Sequence, residues 1–497
     1  MTTKEELQEI KFGERVAEDE TQNLIKYFVE TDDWRRVFNG EIDVVYGAKG
    51  SGESAIYTIL DANNEKLFDK NILLTTAENP RGNTVFEGLT IDPPTGEAEF
   101  IRLWKLYFIV ITHSEFENWG IGNKYFIELK IILEDSGLIP PQKGLKSILK
   151  VCRDYVRQIM NIESLQPGID LNEVTGMPSG VNFKVSFREP NKNEVNAGIK
   201  SIDYLYGLLE NALKDSKFTL WIAVDRLDVA FTENLDLETN ALKALFKVYR
   251  DLSPLNNLKI KIFLRDDIWR RLTEEGFREA SHITKTLTII WSKETIVNLI
   301  IRRLLNNQSI IDKYFIDKNA ILLDYKMQEE LFYRFFPLKI EIGEKQSNTI
   351  DWILNRLKDG KEIIAPREII HLFNEAKQEQ IKKLQIGQND LEGDNLIGRY
   401  AFKTALDIVS KVRLEQTIYA EYPSLKPFIQ KLESEKTEQR IDSLAKIWSL
   451  SNDETNIYAK KLVDIGFFAE RGDSQNPKYW VPFIYRNELK MIQGAAE

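Results

Sequence analysis

The chain has 497 residues, 43% of them hydrophobic and 11% aromatic, which is ample for packed cores and long enough for two to four domains. A formal net charge of −10 argues against broad, non-specific nucleic-acid binding, so any DNA contact has to come from a local patch. A single cysteine, Cys152, excludes a disulfide framework and a cysteine-rich zinc site, and His113, His282 and His371 lie too far apart in sequence to suggest a histidine metal site.

Residues 1–40 read as polar, amphipathic helices with apolar residues three and four apart: Leu24, Tyr27 and Phe28, then Trp34 and Val37. Tyr27, Phe28 and Trp34 are open to two readings, core packing or cover for a bound base. The N-terminus has no apolar signal region, and no uninterrupted apolar run reaches the roughly 18–20 residues needed to span a bilayer. The longest candidate, Leu103 to Thr112, carries Lys105. A soluble, cytoplasmic protein without membrane contact is expected.

Glu41 to Tyr57 carries the most informative pattern: an apolar strand, a glycine-rich turn and the start of a helix. Gly47, Gly52 and Ser54 stand at the spacing of a phosphate-binding P-loop. Glycines let the backbone wrap an anion, and the helix N-terminus adds converging N–H groups and positive potential. The expected phosphate-binding set is Gly47, Lys49, Gly50, Ser51, Gly52, Glu53, Ser54 and Ala55, with the Ser54 hydroxyl on Mg²⁺. The lysine that should precede Ser54 is Glu53. At about 4 Å and an effective dielectric near 20, each unit-charge pair is worth roughly 4 kcal/mol, so this exchange opposes triphosphate binding and hydrolysis. Three readings stay open: a chance glycine turn, a natural pseudo-ATPase, or a Lys-to-Glu change that disables an ATPase. Lys49 offers a partial substitute for the missing charge.

Downstream, a strand is expected over 71–76, followed by a loop rich in Pro and Gly, an apolar helix over 99–111 and helices through 115–165. The alternation of Val181, Phe183, Val185 and Phe187 predicts a hairpin insertion. After a helix over 196–213, Phe218 to Asp228 runs apolar into Asp225 and Asp228, as a central parallel strand delivers an acid to the sheet's C-terminal edge. This resembles a Walker B motif. Asp225 would hold the Mg²⁺ shell and Asp228 would orient the attacking water, although Arg226 occupies the place of the usual second acid.

The next strand, 260–265, ends at Arg265, either a γ-phosphate sensor or a partner of Asp266, Asp267 or Asp228. A strand over 285–291 precedes a helix with Arg302 and Arg303, read either as fingers for a neighbouring subunit or as a solvated face. Pro366 begins a helix in a lid, placing Arg367 at its N-terminus as a second sensor or an ordinary ion-pair residue. Residues 385–395, with Gly387 and Gly393, read as a linker. Residues 435–486 suggest a winged-helix unit carrying Lys460, Lys461, Arg471 and Lys478 among acids.

With these motifs in hand, the chain resembles bacterial P-loop ATPases of the AAA+/STAND-like class. It is most similar to a family of standalone members with a GxKGSGKSA-type loop, on the loop at 47–54, Phe12-Gly13 with Ala17-Glu18, and Phe263 to Ile268. The resemblance implies an α/β fold: a P-loop NTPase parallel-sheet core with a helical lid and a C-terminal winged-helix-like domain. The expected parts are an N-terminal helical segment (1–40), an ATPase core (41–310, with an insertion near 115–190), a lid (311–385) and a C-terminal domain (396–497). It further implies ATP and Mg²⁺ as cofactors, a homo-oligomer, a protein effector, DNA as an alternative partner of the wing, and a role in antiviral defence. The catalytic set is then Asp225, Asp228, Arg265 and Arg367. The competing reading is a non-enzymatic scaffold whose C-terminal domain recruits a partner or DNA.

Overall fold

The computed structural model describes residues 3–15, 20–79, 84–91, 93–94, 96–142, 144–164, 184–227, 234–274, 276–473 and 476–496. The chain divides into two compact units. One comprises Met1–Asp32, Gly47–Gly52 and Ile289–Glu497; the other comprises Asp33–Tyr46 and Glu53–Thr288.

The second unit is built on a five-stranded parallel sheet, so the chain is an α/β protein. Its strands are β1 (Val44–Gly47) and β2 (Ile72–Thr76), then, after a separate parallel pair β3 (Val185–Ser186) and β4 (Lys200–Ser201), β5 (Thr219–Val224), β6 (Leu258–Arg265) and β7 (Thr286–Thr288). The order is β2-β5-β6-β1-β7. Thus β6 lies between the strand that enters the glycine loop and the strand that leads to Asp225. The register pairs Ile72 with Thr219 through Thr76 with Ala223, and Leu220 with Leu258 through Val224 with Ile262. These strands are near-continuous apolar runs because helices cover both faces of a parallel sheet.

The covering helices are α1 (Glu53–Ala62), α2 (Glu97–Asn118), α3 (Ile202–Ser216), α4 (Leu235–Leu252) and α5 (Asp266–Glu274). Ser201 and Asn234 start α3 and α4 by accepting hydrogen bonds from Tyr204 N and Leu237 N. The second of these helices extends seven residues past the expected Ile111, and its side chains from Leu106 to His113 are all buried. A helix apolar around its circumference belongs inside a core. Its two large polar aromatics are satisfied: Trp104 Nε1 donates to Ala241 O at 3.0 Å and Tyr107 Oη to Ala77 O at 2.8 Å.

A buried lysine interrupts this apolar interior. Lys261, on β6, is 1% exposed and donates to Asp43 Oδ1 at 2.8 Å and to Ile42 O. Its ammonium sits 4.5 Å from the centre of the Trp221 ring, and Tyr249 Oη donates to Asp43 Oδ2 at 3.2 Å. Burial pushes the lysine down to about 8, against the opposing pull of Asp43.

In the first unit, helix Thr3–Glu9 shares a hydrophobic core with α6 (Lys293–Leu304), α7 (Pro366–Gln385), α8 (Arg399–Arg413), α9 (Ile441–Trp448) and α10 (Asn452–Asp464). A π-helical turn, Leu414–Tyr419, continues α8. Phe373 of α7 and Phe402 of α8 meet edge to face at 5.5 Å, and Asp390 between them accepts from Gln380 and Lys383. Residues 385–395 therefore form an anchored connection inside one unit. The C-terminal sheet, β11-β8-β10-β9, comprises β8 (Lys436–Gln439), the antiparallel hairpin β9 (Ala469–Asp473) and β10 (Asn476–Trp480), and β11 (Ile492–Ala495), which runs parallel to β8.

Two expectations change. Val185–Ser186 pairs in parallel with Lys200–Ser201 after an intervening helix, Lys192–Asn196, so it does not form a hairpin strand there; Val181 and Phe183 lie outside the described residues. Arg303 is no finger: its guanidinium makes two bonds to the Glu20 carboxylate, at 2.9 and 2.8 Å, with both side chains buried. The adjacent Arg302 donates to Asn298 Oδ1 at 2.7 Å. Tyr27 and Trp34 are also buried, the former beneath the Arg303 guanidinium and the latter against Phe38, in keeping with core packing. Among the described residues, no helix is long and apolar enough to cross a membrane.

Candidate functional site

The glycine turn joins β1 to α1. Gly50 and Gly52 have φ of +81° and +107°, values that a side chain disfavours, and the turn closes with Ser51 N donating to Ala48 O at 2.8 Å. Glu53 is the first residue of α1, followed by Ser54 and Ala55. The first N–H groups of a helix have no partner within it, so this end favours negative charge. That gives Glu53 a local rationale: an acid in the first turn stabilises its own helix by roughly 0.3–1 kcal/mol. The same carboxylate competes with a phosphate for the same dipole.

Three side chains of the first unit hold the loop. Trp291 Nε1 donates to Ser51 O at 2.7 Å, Lys49 is ion-paired to Glu421, and Arg367 packs on Gly50. A Cβ added to Gly50 would stand 3.1 Å from Arg367 Cβ and 3.4 Å from its Nε. Pro366 sets the start of α7 and puts Arg367 in its first turn, where its Nε is buried without a hydrogen-bond partner. The structure thus brings Arg367 to the loop. It also directs the loop's own cation, Lys49, to a carboxylate.

In the second unit, Asp225 follows the last residue of β5 and is buried at the C-terminal edge of the sheet. Its charge raises the Tyr57 hydroxyl of α1, after the larger effect of burial, which ties the acid electrostatically to the helix that follows the loop. Arg226, the next residue, adopts φ +61° and donates to Asn79 O at 3.1 Å. Arg265, at the tip of β6, makes a bidentate pair with Asp267, at 3.0 and 2.7 Å. Asp228 lies outside the described residues.

Glu78 was not singled out in the sequence. It lies two residues past β2, beside β5, with no exposed surface. Its carboxylate accepts from Asn79 N, Thr84 Oγ1 and Val85 N and so ties these three residues together; burial raises its pKa. Its sequence signal was the one that identified Asp225: an acid just beyond an apolar strand.

Ser54 and Asp225 are hard oxygen donors of the kind Mg²⁺ takes alongside substrate phosphates. Among the described residues there is no cluster of three or more His, Cys, Asp or Glu suited to holding a metal alone, so Mg²⁺ would take its remaining ligands from phosphate and water.

No protein-family profile and no curated protein matches the chain. Among solved structures, the chain is similar to a Walker-type ATPase of Pyrococcus abyssi, at 10% identity and TM-score 0.38, over 93% of this chain and 96% of that one. It is also similar to the ORC1 protein of Aeropyrum pernix in complex with DNA, at 9% identity and TM-score 0.35, over 92% and 91%. A third is the ORC2 protein of Aeropyrum pernix with ADPNP and ADP, at 12% identity and TM-score 0.36, over 92% and 88%. Likeness at this level transfers none of those proteins' ligands to this chain.

Proposed function

We propose that the chain is a nucleotide-driven switch that takes ATP with Mg²⁺ at its P-loop. The observation that carries this reading is the glycine turn between β1 and α1, with Asp225 at the C-terminal edge of the same parallel sheet. The backbone N–H groups from Gly50 to Ala55 bind phosphate oxygens, and Ser54 and Asp225 hold Mg²⁺, which screens the phosphate charge. Arg367 reads the state of the nucleotide from the first turn of α7. Arg265 does so from the tip of β6, once released from Asp267, and Asp228 orients water. Glu53 opposes both binding and turnover, so the chain as it stands is a weak or inactive ATPase. The resemblance suggests a homo-oligomer with a protein effector, acting in antiviral defence, with an ATPase core ending near 310, a lid to 385 and a C-terminal domain from 396.

A second reading has its own support. The Lys49–Glu421 pair and Glu53 both leave the loop poorly charged for a triphosphate, as in a non-enzymatic scaffold. Its contact face would be the C-terminal hairpin as a winged-helix wing, where Arg471 stacks 3.9 Å from the Trp480 ring centre. A basic-aromatic face of this kind suits nucleic acid.

The discriminating experiment measures ATP binding and turnover side by side for this chain and for Glu53→Lys. Turnover in the lysine form alone supports the switch. A folded lysine form that neither binds nor turns over ATP overturns it and leaves the scaffold.

A further inference from the structure

The first unit contains a cavity of about 180 Å³ lined by Arg15, Arg367, His371, Arg413, Gln416 and Thr417, with Glu368 and two valines completing the wall. It lies among Arg15, α7, α8 and the π-helical turn. Such turns recur at functional sites because they displace side chains from the regular helical register.

The charges around it are unequal. Arg413 is balanced by Glu368 at 2.9 Å, with Asp359 at 3.8 Å. Arg15 and Arg367 have no acid partner among the described residues; Arg15 makes a long polar contact, 3.5 Å to Gln416 Oε1. The Nε atoms of Arg15, Arg367 and Arg413 are all buried without a hydrogen-bond acceptor. A buried donor left unmade is costly, and three beside one cavity call for an acceptor-rich occupant. The imidazole of His371, 5% exposed, is pushed down to about 4, first by burial and then by the positive charge of Arg15. It therefore lines the cavity as a neutral group at ordinary pH, and Gln416 and Thr417 add an amide and a hydroxyl.

We propose that this cavity is a binding site for a small phosphate-class anion, distinct from the P-loop. Guanidinium forks suit tetrahedral oxyanions because they offer two parallel N–H donors. Occupancy has a consequence through Arg367, which lines the cavity and also packs on Gly50. An anion there fixes the orientation of the residue that touches the loop, so the site regulates what the loop binds.

The test is calorimetric titration of the full chain with inorganic phosphate at constant ionic strength, with chloride as the control. Saturable binding of one phosphate per chain is expected. Arg15→Gln should weaken it at least about tenfold, the worth of one hydrogen bond to a charged group, and Thr417→Phe should abolish it by filling the cavity, with both variants folded by circular dichroism. Competition by AMP would assign the phosphate to a nucleotide, and failure to compete would assign it to the free anion; either outcome supports the site. Absence of saturable phosphate binding overturns the proposal. So does binding that survives both variants but is lost in Gly52→Glu, which would put the anion in the P-loop and leave the reading of that loop intact.

Discussion

Arg367 lies against Gly50, so the first turn of α7 and the bend of the glycine turn approach most closely where residue 50 lacks a side chain. A Cβ there would come within 3.1 Å of Arg367 Cβ, and the residue already sits at φ +81°. Gly50→Ala should cost about 1–2 kcal/mol from the backbone conformation alone, with displacement of Arg367 in addition. Chemical denaturation checks the first effect, and binding of a fluorescent ATP analogue to the Glu53→Lys background checks the second.

The pairing of Lys49 with Glu421 makes a contrasting prediction. Both side chains are partly exposed, so Glu421→Gln should change stability by no more than about 0.2–1 kcal/mol. It should, however, release the loop's own ammonium group towards a bound phosphate. Tighter nucleotide binding with a nearly unchanged melting temperature is the expected result, and unchanged or weaker binding would show that Lys49 takes no part.

The buried Lys261–Asp43 pair should matter far more. Asp43→Leu removes one partner and leaves an ammonium in the core, at a cost of about 3–5 kcal/mol, whereas Lys261→Met combined with Asp43→Leu should recover most of it. The pH dependence follows from a lysine lowered to about 8 in the folded chain, compared with about 10.4 when unfolded. Between these values the unfolded chain binds more protons, so the lysine's contribution to stability rises with pH across that window. The difference between wild-type and Lys261→Met denaturation free energies, measured from pH 7 to 11, should show that slope.

His371 predicts a pH effect at the acid end. Its pKa is lowered to about 4 from an unfolded value near 6.5, so the unfolded chain is the better proton acceptor between them. Its contribution is complete above pH 6.5 and is lost as pH falls towards 4. His371→Asn should flatten that part of the stability profile relative to wild type, and Arg15→Gln should move the midpoint of the loss upward.

Glu20 and Arg303 supply the simplest stability test. Glu20→Ala leaves a buried guanidinium without its carboxylate and should destabilise the first unit by about 3–5 kcal/mol. A loss below 1 kcal/mol would mean that water or a neighbouring acid replaces it.

What was legible in the sequence was local. The strand–turn–helix around Gly47–Ser54 and the strands leading to Asp225 and Arg265 announce themselves because a buried parallel strand must be apolar and its turn must be small. What was not legible depended on distant partners. Lys259 and Lys261 alternate with isoleucines as if lining a wet face, yet Lys261 is buried because Asp43, over 200 positions earlier, receives it. Arg303 reads as a surface cation until Glu20 is placed beside it. Glu421 and Trp291 carry no motif that would connect them to the loop, and the alternation ending at Phe187 concealed a parallel partner beyond a short helix.

The division of the chain has a consequence for how the protein is inherited and dissected. The backbone passes from one unit to the other at residues 32–33, 46–47, 52–53 and 288–289, and the six residues Gly47–Gly52 are counted with one unit although their flanking strand and helix belong to the other. No single truncation can deliver either unit whole. A protease nick in the glycine turn would interrupt the chain path of both, and recombination that exchanged one of them would have to carry three separate stretches of gene together for the first unit or two for the second. The loop is the stitch that makes two bodies a single unit of selection.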